Sequence, residues 1–321
     1  MRYCMLSAGV LGLDVCKLRL LEEALANPSS SAPTVIWLIG SACTGCSVSF
    51  LNRISDVPGQ PADVVDVVGG AINLVFHPTI MGAAGETAVS ALYQAYNKGN
   101  YVLVVEGAVP TAFQGHACVV WSYNGQEVTF QQAVQQLSAR SIANVCVGTC
   151  ASFGGIPAAG ANPTGCMSVQ QFTGRPTINI SGCPANPDWV VWAVVQLILG
   201  NPVTLDADGR PTALYSIGFS GDPESPIIHQ KCNRNPLLTG TPKAVNFGED
   251  GHCLQNLGCR GPYTKSRCRG AWNGIGGNGL VNPNDPHPGH WCIGVNAPCQ
   301  GCVEKTFPGA QSFFEGEYHP S

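Results

Sequence analysis

A chain of 321 residues with 45% hydrophobic content has room for two domains and enough apolar side chains to bury a large core. Only 11% of its residues are charged, well under the roughly 25% usual in soluble domains, so much of its surface is expected to be covered by a partner. The net charge of −4 and the lack of any basic run exclude nucleic acid as a partner.

In chain order, residues 1–13 (MRYCMLSAGVLGL) read as the tail of an export signal, with a short basic start and an apolar, small-residue stretch. An amphipathic helix through residues 21–25 is the plainer alternative. Residues 1–32 form an N-terminal segment that ends in a linker rich in Ser and Pro. Short apolar runs rich in Val or Ile then predict buried strands over 34–40 (TVIWLIG), 63–69, 101–106, 142–148 and 177–181. Helical periodicity predicts helices over 46–54, 80–97, 130–140 and 188–199, the last opened by Pro187 and Asp188 and stopped by Gly200. This alternation argues an α/β fold, a doubly wound parallel sheet over residues 33–200. No apolar run is long enough to cross a membrane; the longest, 189–200, suits an ordinary helix. Past residue 200 the periodicity fades, and Gly, Pro, Asn and Cys dominate. Residues 201–321 are therefore expected to be an irregular domain held together by metal ligation.

The 16 cysteines carry the chemistry. A disulfide framework suits small, core-poor proteins, and this chain is neither, so metal ligation is the better reading. Cys43 and Cys46, in SACTGCSVSF, stand where a strand ends and a helix begins, where helix-start amides could face the sulfurs. Alone, that C-x₂-C pair fits zinc, a redox disulfide or iron–sulfur. Cys150 (GTCASFGG) and Cys183 (GCPANP) also follow strands. Three strand ends of one sheet would thus bring four thiols to a single site, with glycines allowing close backbone approach. A second set is His229, Cys232, Cys253 and Cys259; a third is Cys268, Cys292, Cys299 and Cys302. Cys118, Cys146 and Cys166 read as small core residues. Cys4 and Cys16 are left between free thiols and a partner contact. His252 and His290 read as neighbours of ligands or surface residues. Glu106, at a strand end, is expected to hold loop amides beside the first site.

In order from about residue 33 to the C-terminus, CTGCS, VEGAVPT, GTCASFGG, GCPANPDW, HQKC, CLQNLGCRGP and PCQGCVE resemble the small, electron-transferring subunit of nickel–iron hydrogenases. The resemblance implies a flavodoxin-like domain with a proximal 4Fe–4S cluster on Cys43, Cys46, Cys150 and Cys183. It implies a distal 4Fe–4S cluster on His229, Cys232, Cys253 and Cys259, where imidazole suits a site near the surface. The medial ligands would be Cys268, Cys299 and Cys302, joined by Cys292 where the common form of the family has proline. A medial 4Fe–4S cluster is therefore expected, as in the nickel–iron–selenium branch, with 3Fe–4S as the alternative. Oxygen-tolerant members carry two further cysteines, at positions that correspond to Gly45 and Gly155, so the six-cysteine 4Fe–3S cluster is not expected.

The family implies a large subunit that holds the nickel–iron centre and performs the hydrogen chemistry. It also implies a redox partner, a cytochrome or a quinone-linked membrane subunit, docking near His229. A dimer of heterodimers is a further expectation. The first 13 residues place the protein in the periplasm or on the outer face of the cytoplasmic membrane, with the cytoplasm as alternative. The GIGGNG stretch in the Gly/Asn/Pro-rich run 274–289 has no strand before it and no helix after it, and is read as loop rather than as a nucleotide site.

Overall fold

The computed structural model of the chain describes residues 32–53, 63–215, 227–266, 268 and 291–319. The N-terminal segment with Cys4 and Cys16, the run 274–289 and His290 lie outside them.

The sheet is built from the apolar runs. Strands β1 (Thr34–Ile39), β2 (Asn73–Phe76), β3 (Tyr101–Glu106), β7 (Ala143–Val147) and β9 (Ile178–Ile180) pair in parallel in the order β2-β1-β3-β7-β9. Side chains alternate between the two faces, and both faces are buried. Val35, Trp37, Val102, Val104, Val145 and Val147 pack on one side against Phe50 of α1 (Gly45–Leu51) and Trp189 and Val190 of α5 (Pro187–Ile198). Ile36, Leu38, Leu103, Val105 and Cys146 pack on the other, against α2 (Gly85–Lys98) and α3 (Phe130–Ser138). Helices thus cover both faces, as the alternation predicts. Cys146 is a core residue, its thiol pushed up to about 12 by burial. Cys166 is buried and Cys118 partly so, the latter against the second core.

Two expectations are corrected. Residues 63–69 are not a strand. The Asp63 carboxylate accepts the Val65 and Asp66 amides at 2.8 and 3.1 Å, starting a helical turn that runs into a π-turn over Val67–Ala71. The capping side chain decides in favour of a helix despite four valines, and the edge strand comes later, at 73–76. The second helix starts at Gly85 rather than at 80, with Gly85 at φ +56. A hairpin not expected from the sequence, β5 (Val119–Tyr123) with β6 (Gln126–Thr129), turns on Asn124 and Gly125 at φ +52 and +74. That Asn-Gly pair is a readable hairpin signal. Two further short strands, β4 (Val109–Pro110) and β8 (Cys166–Met167), pair antiparallel.

Beyond α5 the described residues hold only short helical turns and isolated bridges, and a third core gathers around Ile228, Leu254, Trp291 and Ile293. Among the described residues no helix is long and apolar enough to cross a membrane.

The Phe130 ring anchors the end of β1: a methyl added at Gly40 would stand 2.2 Å from it. Replacing Phe130 with Ala is expected to cost about 3–5 kcal/mol. Urea unfolding followed by tryptophan fluorescence would show it as a lower midpoint at unchanged slope.

Candidate metal centres

The C-terminal ends of β1, β7 and β9 point to one edge of the sheet. After β1, the Gly40 amide bonds the Glu106 carbonyl at 2.9 Å, Ser41 bridges Ala108, and Thr44 turns the chain at φ 63. Cys43 is exposed on that turn, and Cys46 lies in the first turn of α1. After β7, Gly148 at φ +89 leads into α4 (Thr149–Phe153), which carries Cys150. A Cβ at Gly148 would come within 2.5 Å of the Cys46 sulfur. After β9 come Gly182 and Cys183, tied back by the Gly148 amide to Ile180 O and the Thr149 amide to Gly182 O, each 2.9 Å.

The four thiols are electrostatic neighbours: Cys46 of Cys150 and Cys183, Cys150 of Cys183 and Cys43, and Cys183 of Cys43. Burial comes first in pushing Cys46, Cys150 and Cys183 up; for Cys46 the Glu106 charge follows and then the crowding, for the other two the crowding follows directly, and Cys150 reaches about 12. The expectation about helix-start amides is corrected. The Cys46 and Ser47 amides donate to Glu106 Oε1 at 3.1 and 3.3 Å, while the Cys46 sulfur accepts the Ala185 amide at 3.4 Å. Glu106, 1% exposed, also accepts from Trp37 Nε1 at 3.4 Å and from the Ser47 hydroxyl. It is the buried carboxylate that shapes the CTGC turn, as expected.

In the C-terminal part, Cys302 neighbours Cys268, Cys299 and Cys292, and the Cys183 backbone N–H donates to its sulfur. The Cys299 amide donates to Cys259 Sγ at 3.3 Å, and Cys259 neighbours both Cys299 and Cys232. Burial leads in pushing all three thiols up, Cys299 to about 11. Cys292 stands at the surface. Cys253 is buried and bridged to Lys243, whose ammonium also lies near His229; burial and then that ammonium lower the imidazole's proton affinity. His229 adjoins Cys259 through Gly261, where a Cβ would meet Cys259 Sγ at 3.4 Å and His229 N at 3.9 Å. His252 instead pairs with Glu249 at 3.2 Å.

Among the described residues, no three His, Cys, Asp or Glu side chains close on a point that would hold one metal ion. The thiols are grouped as neighbours. Sequence reasoning missed the side chains that hold these groups in place: Thr149, Ser181, Arg210 and Arg260. Arg260, 4% exposed, donates to Pro308 O and to Gln311 O, the latter at 2.8 Å, and lies over the rings of Phe313 and Tyr318 at 4.7 and 4.3 Å. Its own amide donates to Cys299 O at 2.7 Å. Nothing in local sequence marks an arginine for such a place.

Residues 43–197 match the family described as NADH ubiquinone oxidoreductase, 20 Kd subunit, and residues 225–315 match the C-terminal family of the NiFe/NiFeSe hydrogenase small subunit. The periplasmic [NiFeSe] hydrogenase small subunit of Desulfomicrobium baculatum is 38% identical, over 96% of this chain and 95% of its own. The quinone-reactive Ni/Fe-hydrogenase small chain of Wolinella succinogenes is 34% identical, over 82% and 70%. The solved [NiFeSe] hydrogenase of Desulfovibrio vulgaris Hildenborough superposes with a TM-score of 0.75 at 34% identity, covering 90% of this chain and 99% of that one.

The raised thiols set a pH dependence for the metal-free chain. A thiol held above its ordinary value of 9.0 favours the fold while it stays protonated, and that contribution is lost as pH climbs toward about 12. Urea midpoints of the metal-free, reduced chain are expected to hold steady from pH 7 to about 9 and to fall above it. A flat profile up to about pH 11 would contradict the burial of these sulfurs.

Proposed function

This chain belongs to the small subunits of nickel–iron and nickel–iron–selenium hydrogenases, and from that premise we propose that it relays electrons from hydrogen oxidation on the large subunit to an external acceptor. The partner is the large subunit, which holds the catalytic site. Three ligand sets carry the relay: Cys43, Cys46, Cys150 and Cys183; then Cys268, Cys292, Cys299 and Cys302; then His229, Cys232, Cys253 and Cys259. When bound, a 4Fe–4S cluster at each would supply a one-electron carrier.

The donor set fits such a group. Soft thiols dominate, backbone N–H groups donate to the sulfurs of Cys46, Cys259 and Cys302, and Gly148 leaves room at Cys46 that a Cβ would fill. Gly45 and Gly155, where an added Cβ would stand 3.0 and 3.1 Å from the sulfurs of Cys43 and Cys150, offer no further thiolate. The observation that carries the reading is that Cys43, Cys46, Cys150 and Cys183 meet at one sheet edge, with Cys302 one hydrogen bond from Cys183.

The chain's own residues have three tasks. They keep water from most of the sulfurs, aim amide dipoles at them, and hold the sets in order. Residues 33–200 are read as the sheet domain, and the strand order supports a flavodoxin-like description. Residues 201–321 are read as the part tied together by its ligands. The acceptor, a cytochrome or a quinone-linked membrane subunit, would dock beside His229. There Asn235 Nδ2 donates to His229 O at 2.9 Å, and Leu237 and Leu238 on the same turn are 90% and 64% exposed. The quinone-reactive relative favours the membrane subunit. The relative named periplasmic favours that compartment, and assembly as a dimer of heterodimers belongs to the same reading.

Anaerobically purified complex is expected to be brown, to hold acid-labile sulfide together with iron in slight excess over it (the nickel–iron centre adding iron without sulfide), and to bleach with dithionite. A colourless, zinc-loaded protein would overturn the reading. Replacing Cys292 with Ser is expected to turn the medial site into a 3Fe–4S centre, seen as a new EPR signal in the oxidised complex. The same signal in the unaltered complex would overturn the four-thiolate assignment.

A further inference from the structure

The seam between the strand ends and the CQGC loop is held by side chains that are not ligands. Thr149, 1% exposed, sits between Gly148 and Cys150. Its Oγ1 accepts the Gly182 N–H at 2.9 Å and donates to the Cys302 carbonyl. Ser181 Oγ donates to the Val303 carbonyl at 2.8 Å, and Arg210 Nη1 donates to the same oxygen at 3.3 Å. The Tyr215 hydroxyl donates to Ser181 O at 2.8 Å. A hydroxyl is the one small group that can take the Gly182 N–H and give a proton to the Cys302 carbonyl at once. The Gly182 N–H is buried and the Cys302 carbonyl partly so, so losing the hydroxyl would cost both of them this partner.

Resting on the ligand reading above, we propose that Thr149 is a positioning residue for electron passage: its hydroxyl, clamped between Gly182 and Cys302, fixes the gap between the strand-end site and the CQGC site. With clusters held by Cys43, Cys46, Cys150 and Cys183 and by the CQGC set, the step would be the passage of one electron from the first to the second, with no bond formed or broken. The rate of such a step falls steeply with separation, so a loosened seam slows it without touching any ligand. Ser181 and Arg210 brace the next carbonyl along and keep the CQGC loop from sliding past the sheet edge.

The test uses the assembled large–small complex with Thr149→Val or Thr149→Ser. Two activities are compared: reduction of a viologen, which needs the relay, and deuterium–proton exchange on the large subunit, which does not. Thr149→Val is expected to keep its iron and its isotope exchange while viologen reduction falls several-fold. The Gly182 amide is expected to exchange hydrogen roughly tenfold faster, as the loss of about one buried hydrogen bond implies. Thr149→Ser should restore both. An unchanged ratio of the two activities in Thr149→Val, or a serine variant as slow as the valine one, would overturn the proposal. Should Thr149→Val fail to assemble, Ser181→Ala decides: a lowered ratio supports the seam, an unchanged one rejects it. Unaltered complex without iron would instead overturn the ligand reading.

Discussion

Sulfur atoms crowded together and shut away from water are tolerated while they are neutral, or while a cation among them cancels their charge. Most of this chain's structure is arranged around that constraint. Cys46, Cys150, Cys259, Cys299 and Cys302 are all pushed upward, by burial first and then by neighbouring thiols, with the Glu106 charge ahead of the thiols at Cys46. An empty chain holds them as thiols. A chain that binds iron must shed those protons, so ligand assembly and folding are one linked equilibrium. The irregular C-terminal part, with short turns and a modest core, fits a region that draws cohesion from its ligands.

Around the sulfurs, backbone polar groups have been assigned in a definite order. Glu106 takes the amides that open α1 and so sets the turn that displays Cys43 and Cys46. Two amides, of Cys183 and Cys299, each reach a thiol of the next group along the chain of sites. The same residues that carry thiols in one group therefore solvate thiols in the next. Binding at one site and the shape of its neighbour are joined through the peptide backbone rather than through long side chains.

The parts of the fold legible in the sequence were those whose physics is local. The strands β1, β3, β7 and β9 are buried on both faces, so they read as continuous apolar runs. Residues 63–69 mimic such a run, and only the Asp63 cap betrays a helical turn. The Asn124-Gly125 hairpin carried its signal openly. At the site, cysteine phrases after strands were enough to bring Cys43, Cys46, Cys150 and Cys183 together. Thr149, Ser181, Arg210 and Arg260 could not be found that way. Each acts on a carbonyl or ring far along the chain, and such a partner exists only once the chain has folded.

Arg260 joins separate pieces of the polypeptide. It follows Cys259 directly, yet its guanidinium rests on Phe313 and Tyr318, far down the chain. The same side chain also takes the carbonyls of Pro308 and Gln311. One planar cation thus fastens that whole stretch at four places, so its neighbour Cys259 and the distant strap are tethered as a single piece.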